Sequence, residues 1–111
     1  MVSTPNETPP LRWGVIGLGV AGRARARAIR ADPRASLVAG FRGDCAAVDL
    51  PEADTLDALL HAVDAVAICT PDPTHPALVK SALLAGCHVV CEYPLAPNAA
   101  KARELYAFAD A

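Results

Sequence analysis

Apolar residues occur along this chain in two alternating patterns, short unbroken runs and longer stretches with helical spacing. The runs are Trp13-Gly14-Val15-Ile16, Leu37-Val38-Ala39-Gly40-Phe41, Ala65-Val66-Ala67-Ile68-Cys69 and Val89-Val90-Cys91 behind His88. Ala65 to Cys69 has no alternating polar position, which suits a central parallel strand covered on both faces. The segment after Gly22 is predicted to be helical and to close near Ala31-Asp32-Pro33, where proline blocks continuation. Leu56, Leu59 and Leu60 stand at i, i+3 and i+4, a short helix with Asp54 or Thr55 as its cap. A third helix from about His75 to Ala85 carries Leu78, Val79, Ala82 and Leu83 on one side and stops at Gly86. A fourth, from about Asn98, presents Ala102, Leu105, Tyr106 and Ala109 at helical spacing. Residues 43–54 keep no period and read as a loop. Residues 1–10, polar and proline-rich, read as a disordered tail ahead of one domain over residues 11–111.

Strand and helix thus alternate four times. With right-handed crossovers the simplest architecture is an α/β, doubly wound parallel sheet in the order 2-1-3-4, with helices on both faces. In such sheets ligands bind beyond the carboxyl ends of the strands. The exits at Gly17 to Gly22, Arg42, Thr70 to His75 and Glu92 to Pro94 are therefore predicted to converge on one crevice.

The first exit carries a chemical signature. Gly17-Leu18-Gly19-Val20-Ala21-Gly22 is an intact G-x-G-x-x-G between a strand and a helix, and a second strand follows at βαβ distance. Gly17 permits the sharp turn, Gly19 lets a pyrophosphate approach the backbone, and Gly22 lets the helix pack close to the sheet. The helix N-terminus supplies unpaired N–H groups and the positive end of its dipole, an anion site. Arg23 in its first turn opposes that dipole by roughly 0.3–1 kcal/mol, so it reads either as a phosphate partner or as a solvated side chain. This is the pattern of a Rossmann dinucleotide-binding domain.

Composition narrows the class. The chain has 111 residues, 53% of them hydrophobic, enough for one core, and a net charge of −2 gives no footprint for nucleic acid or an anionic membrane. No apolar run approaches eighteen residues and no signal pattern opens the chain, so a soluble cytoplasmic protein is expected. Cys45, Cys69, Cys87 and Cys91 form no C-x-x-C and no histidine pair has metal-ligand spacing, so no metal is expected. Cys87 and Cys91, read as sharing one strand, are too far apart for a disulfide, and all four read as small buried residues.

From Gly17 through Thr70-Pro71…His75 to Ala85-Gly86-Cys87-His88-Val89-Val90-Cys91-Glu92-Tyr93-Pro94, the motifs resemble those of the Gfo/Idh/MocA oxidoreductases over residues 11–111. The resemblance implies NAD(P) binding, with the Glu92-Tyr93-Pro94 segment beside the nicotinamide. It also implies a C-terminal antiparallel sheet domain completing the substrate site, which these residues lack. Tyr93 stands where the family usually has lysine. With Gly40-Phe41 and the short second crossover, it makes the chain most similar to biliverdin reductases, implying hydride transfer from NAD(P)H to a linear tetrapyrrole. The resemblance also admits a sugar or polyol substrate.

Under this reading Gly17, Leu18, Gly19, Val20, Ala21, Gly22, Arg23, Arg42, Thr70, Pro71, His75, Glu92 and Tyr93 contact the cofactor, and Tyr93 and Glu92 serve catalysis. Each has a plainer alternative: His75 starts a helix or lies beside the nicotinamide ribose, Glu92 orients backbone or faces the cofactor, Tyr93 packs or positions substrate. Asp44 and Asp72 read as turn residues. The resemblance also allows a cis Tyr93-Pro94 bond. Arg42 ends the second strand, where an acid would accept the ribose 2′-OH of NAD. An arginine there suits a 2′-phosphate, so NADP(H) is the expected cofactor and NAD(H) the alternative, with a solvated arginine as the plain reading. The 111 residues alone are expected to bind nucleotide without turnover, as the first part of a reductase. A non-catalytic cofactor-sensing module and a truncated reading frame are the competing expectations.

Overall fold

The computed structural model describes residues 8–111, so the expected tail falls largely outside the described residues. The chain alternates as read: β1 (Leu11–Leu18), α1 (Val20–Ala31), β2 (Ala35–Gly43), α2 (Leu56–Ala62), β3 (Ala65–Ile68), α3 (His75–Leu84), β4 (His88–Cys91) and α4 (Ala99–Asp110). The four strands form one parallel sheet in the order β2-β1-β3-β4.

Successive side chains of a strand point to opposite faces, and that alternation builds two half-cores. Ile16, Val66 and Ile68 face Leu59 and Leu60 of α2, Leu78, Val79 and Ala82 of α3, and Leu105 of α4. Val15 and Ala67 face Ala26 and Ile29 of α1, and Leu18 joins them because Gly17, at φ +92, breaks the alternation just before it. β3 is buried along its whole length, as its unbroken apolar run requires, whereas β4 at the sheet edge alternates between exposed and half-buried. Leu59 is fully buried, worth about 1.5–3 kcal/mol. It packs where Gly14 leaves room, since a Cβ there would lie 2.8 Å from a Leu59 methyl.

Helix ends follow their sequence signals. Thr55 caps α2 by accepting from Ala58 N, Asn98 caps α4 by accepting from Lys101 N, and Gly86 adopts φ +83 after α3. At the far end of the sheet, Asp64 accepts from the Arg12 backbone N–H and guanidinium, which hold its carboxyl down at about 2.

Two expectations need correction. Residues 43–54 are not a plain loop: Cys45–Val48 form a 3-10 turn whose N-cap, Asp44, accepts from Ala47 N, and Gly40 makes an isolated parallel bridge to Glu52. The reason is burial, because Cys45, Val48 and Leu50 complete the half-core beneath α1, and Arg30 donates to Val48 O to hold the turn there. Asp44 is thus a cap as well as a turn residue. The cysteines also divide: Cys45 and Cys87 are buried, whereas Cys69 and Cys91 are only half-buried. Cys87 lies one residue before β4 instead of on it, its thiol donating to Leu60 O. All four are free.

Candidate functional site: a crevice at the strand exits

Three strand exits meet at a crevice of about 500 Å3. Gly17, Leu18, Gly19, Val20 and Ala21 line it from the glycine turn, Arg42 and Gly43 from the end of β2, and Cys69, Thr70 and Pro71 from the end of β3. Eight of the residues singled out in the sequence are therefore brought together, and the sequence reading missed Gly43 and Cys69.

The glycine turn is built by close approach. Gly17 adopts φ +92, and a Cβ at Gly22 would collide with the Gly17 carbonyl oxygen, so the first turn of α1 can lie on the strand exit only without a side chain there. Gly22 is buried beneath the turn and acts as a spacer. Gly19 is the opposite case, because a Cβ there would meet nothing within 4 Å. Its bare backbone faces open space at the N-cap of α1, where no side chain caps the helix and no acid stands in the first turn. The unpaired N–H groups of that turn, reinforced by the dipole, are free to bind an anion. These features fit a dinucleotide pyrophosphate.

Arg23 does not reach outward. Its guanidinium donates to Leu18 O at 3.1 Å, closing the glycine turn from behind, which accounts for a cation in a first turn without a phosphate. Arg42 sits at φ +65, a left-handed conformation uncommon outside glycine, followed by Gly43 at φ +91. At Gly43 a Cβ would lie 2.7 Å from Leu18 N, so the chain can leave β2 this close to β1 only through glycine. The Arg42 side chain is exposed and lies over the Phe41 ring, 5.5 Å from its centroid.

The last three predicted residues lie outside the crevice lining. His75 is 0% exposed. Its Nδ1 stands 2.7 Å from Pro94 O and its Nε2 2.7 Å from Thr70 O. Both partners are backbone carbonyls, which can only accept. Glu92 accepts from Arg25 Nη2 of α1 at 2.6 Å, with the Cys69 thiol 3.9 Å from the same oxygen. Arg25 was not foreseen as a partner. The signal that could have found it is its place one turn into the helix that starts at the glycines. Tyr93, between these anchors, is 93% exposed, and the Tyr93-Pro94 bond is cis.

The thiols near the site are quiet. Burial, with the Glu92 charge, pushes Cys69 up to about 11 against the pull of Arg25, and burial likewise pushes Cys91 up to about 11. Neither is a thiolate near neutral pH. Among the described residues no group of His, Cys, Asp and Glu could hold a metal ion, and no helix is long and apolar enough to cross a membrane. A second concavity of about 540 Å3 lies away from the glycine turn, between β4 and helices α3 and α4, among Val89, Leu105 and Tyr106.

Known proteins are similar to this chain in sequence and fold. Residues 11–111 match the model of the Gfo/Idh/MocA oxidoreductase family, NAD-binding Rossmann fold. Inositol 2-dehydrogenase of Rhizobium meliloti is 35% identical over 101 residues, 84% of this chain and 31% of that protein. Biliverdin reductase A of Mus musculus is 34% identical over 110 residues, 91% of this chain and 37% of that protein. The crystal structure of Synechocystis biliverdin reductase in complex with biliverdin and NADP+ superposes with a TM-score of 0.83 at 33% identity, covering 91% of this chain and 35% of that one. The chain thus spans about a third of the length of the relatives it matches. Through its glycine turn, its sheet order and the match along residues 11–111, the chain belongs to the Gfo/Idh/MocA oxidoreductases, as their NAD-binding Rossmann domain.

Proposed function

We propose that the crevice binds NADP(H) and that the chain is the nucleotide-binding part of a reductase acting on a linear tetrapyrrole. The observation that carries the cofactor reading is the uncapped N-terminus of α1 behind a glycine with open space above it, with Arg42 at the end of β2. In this reading the first-turn N–H groups hold the pyrophosphate and Arg42 pairs with the ribose 2′-phosphate through charge-assisted hydrogen bonds. The dinucleotide, when bound, supplies a hydride.

The substrate reading rests on Tyr93. An aromatic side chain exposed at the exit of β4 offers a flat face to a conjugated ligand and a hydroxyl to hydrogen-bond it. A phenol is a weak acid at neutral pH, so Tyr93 orients substrate and steadies developing charge, and Glu92, engaged by Arg25, serves through that contact. The likeness to inositol 2-dehydrogenase favours a second reading, a polyol or sugar as substrate. The absence of lysine at position 93 weighs against it, because alcohol oxidation needs a base for the hydroxyl proton.

Calorimetric titration of the purified 111 residues with NADPH and NADH tests the cofactor reading. Saturable one-site binding, tighter for NADPH, is expected. Biliverdin reduction by these residues alone is expected to be negligible, since much of an enzyme's acceleration comes from positioning both reactants. No saturable binding of either dinucleotide would overturn the proposal.

A further inference from the structure

We infer that Arg25 and His75 are positioning residues which mount the Glu92-Tyr93-Pro94 turn from opposite sides and so present the Tyr93 side chain. The turn follows β4, the edge strand of the sheet, so it has a strand neighbour on one side only. Its first residue is held by backbone through Glu92 N to Ile68 O at 3.0 Å. Beyond that bond, long-range side-chain contacts fix it, the Arg25 and His75 contacts being the short ones and the Cys69 thiol standing 3.9 Å from the Glu92 carboxylate. On the α1 side of the sheet, Arg25 donates to the Glu92 carboxylate across 67 positions of sequence. On the α3 side, the buried His75 ring bridges Pro94 O and Thr70 O, tying this turn to the one that leaves β3.

Three consecutive residues are thus held first and last, while the middle one is 93% exposed. An aromatic side chain in water has little to fix its direction except its backbone, and here that backbone is clamped at both neighbours. The two clamps also reach the crevice from behind. Arg25 belongs to the helix whose N-terminus forms the anion site, and Thr70 lines the crevice. That the mounted tyrosine faces a bound ligand rests on the dinucleotide reading above; the mount itself does not.

The test is backbone 15N relaxation on the 111-residue chain without cofactor. The amides of Glu92, Tyr93 and Leu95 are expected to show order parameters near those of the strands, about 0.85. Arg25→Met is expected to lower the values at Glu92 and Tyr93 below about 0.7, with the rest of the sheet unchanged, and Arg25→Lys to restore most of the loss. His75→Gln is expected to loosen Tyr93 and Leu95. His75 is buried and its replacement can unfold the chain; Arg25 is half-exposed, so Arg25→Met then decides alone. Order parameters unchanged in the folded Arg25→Met variant, or already low in the unaltered chain, would overturn the mount. Calorimetry with NADPH on the same samples reports separately on the cofactor reading.

Discussion

The carbonyl oxygen of Gly17 occupies the place that a side chain at Gly22 would need, so these two glycines fix how closely α1 sits on the exit of β1. The obstacle is backbone, which cannot rotate aside. Gly22→Ala is therefore expected to cost more than the roughly 1–3 kcal/mol of ordinary overpacking. Urea denaturation checks this. A stability loss below about 1 kcal/mol, with nucleotide binding kept, would contradict the close approach.

Arg42 sets the expected cofactor choice. Replacing it with aspartate removes a donor for the 2′-phosphate and adds an acceptor for the 2′-OH. Charge-assisted hydrogen bonds contribute roughly 1.5–3 kcal/mol, about ten- to a hundredfold in affinity. In Arg42→Asp the ratio of NADPH to NADH affinity is expected to fall by at least about tenfold, read by calorimetry. Because position 42 is left-handed and aspartate tolerates that conformation, the fold should survive. An unchanged ratio would return Arg42 to a solvated surface cation.

The half-buried thiols give a pH prediction. With Cys69 and Cys91 pushed up to about 11, the thiolate fraction at pH 8 is about one in a thousand, and it rises as pH climbs toward 11. Iodoacetamide should modify both slowly at pH 8 in the native chain, faster with each step up in pH, and at ordinary rates in urea. Mass mapping of the alkylated peptides distinguishes the sites. Rapid native labelling of Cys69 at pH 7 would show that its environment favours the thiolate.

Much of this fold was legible because its signals are local. The strand runs at 13–16, 37–41, 65–69 and 88–91, the cap at Thr55, the stop at Gly86 and the start at Asn98 each rest on a few neighbouring residues. β1 and β2 run one residue past each end of the strands expected at 12–17 and 36–42, with Leu11 pairing with Ala35 and Leu18 with Gly43. The 3-10 turn at Cys45–Val48 was hidden because it is held by packing under α1 instead of by period.

At the site, the crevice residues could be read from the motif and the strand exits. The roles of Arg23, Glu92 and His75 could not, because each depends on a partner: Leu18 O, Arg25, and the pair Thr70 O and Pro94 O. A sequence gives the side chain but not what folds against it.

Whether the bare backbone at Gly19 receives a pyrophosphate on the N-terminus of α1 is decided by Gly19→Asp. A Cβ at this position meets no atom within 4 Å, and the backbone sits at φ −77, so the substitution leaves the fold free of clash and strain. An acid there also suits the N-cap and the dipole. Yet it places a carboxylate where the phosphates belong. Calorimetric titration of NADPH into the unaltered chain and into Gly19→Asp, with thermal unfolding of both, is the measurement. The unfolding temperature is expected to be unchanged or raised, together with at least about a hundredfold loss of NADPH affinity, roughly 2.7 kcal/mol. Undiminished NADPH binding by the folded variant would contradict pyrophosphate binding there.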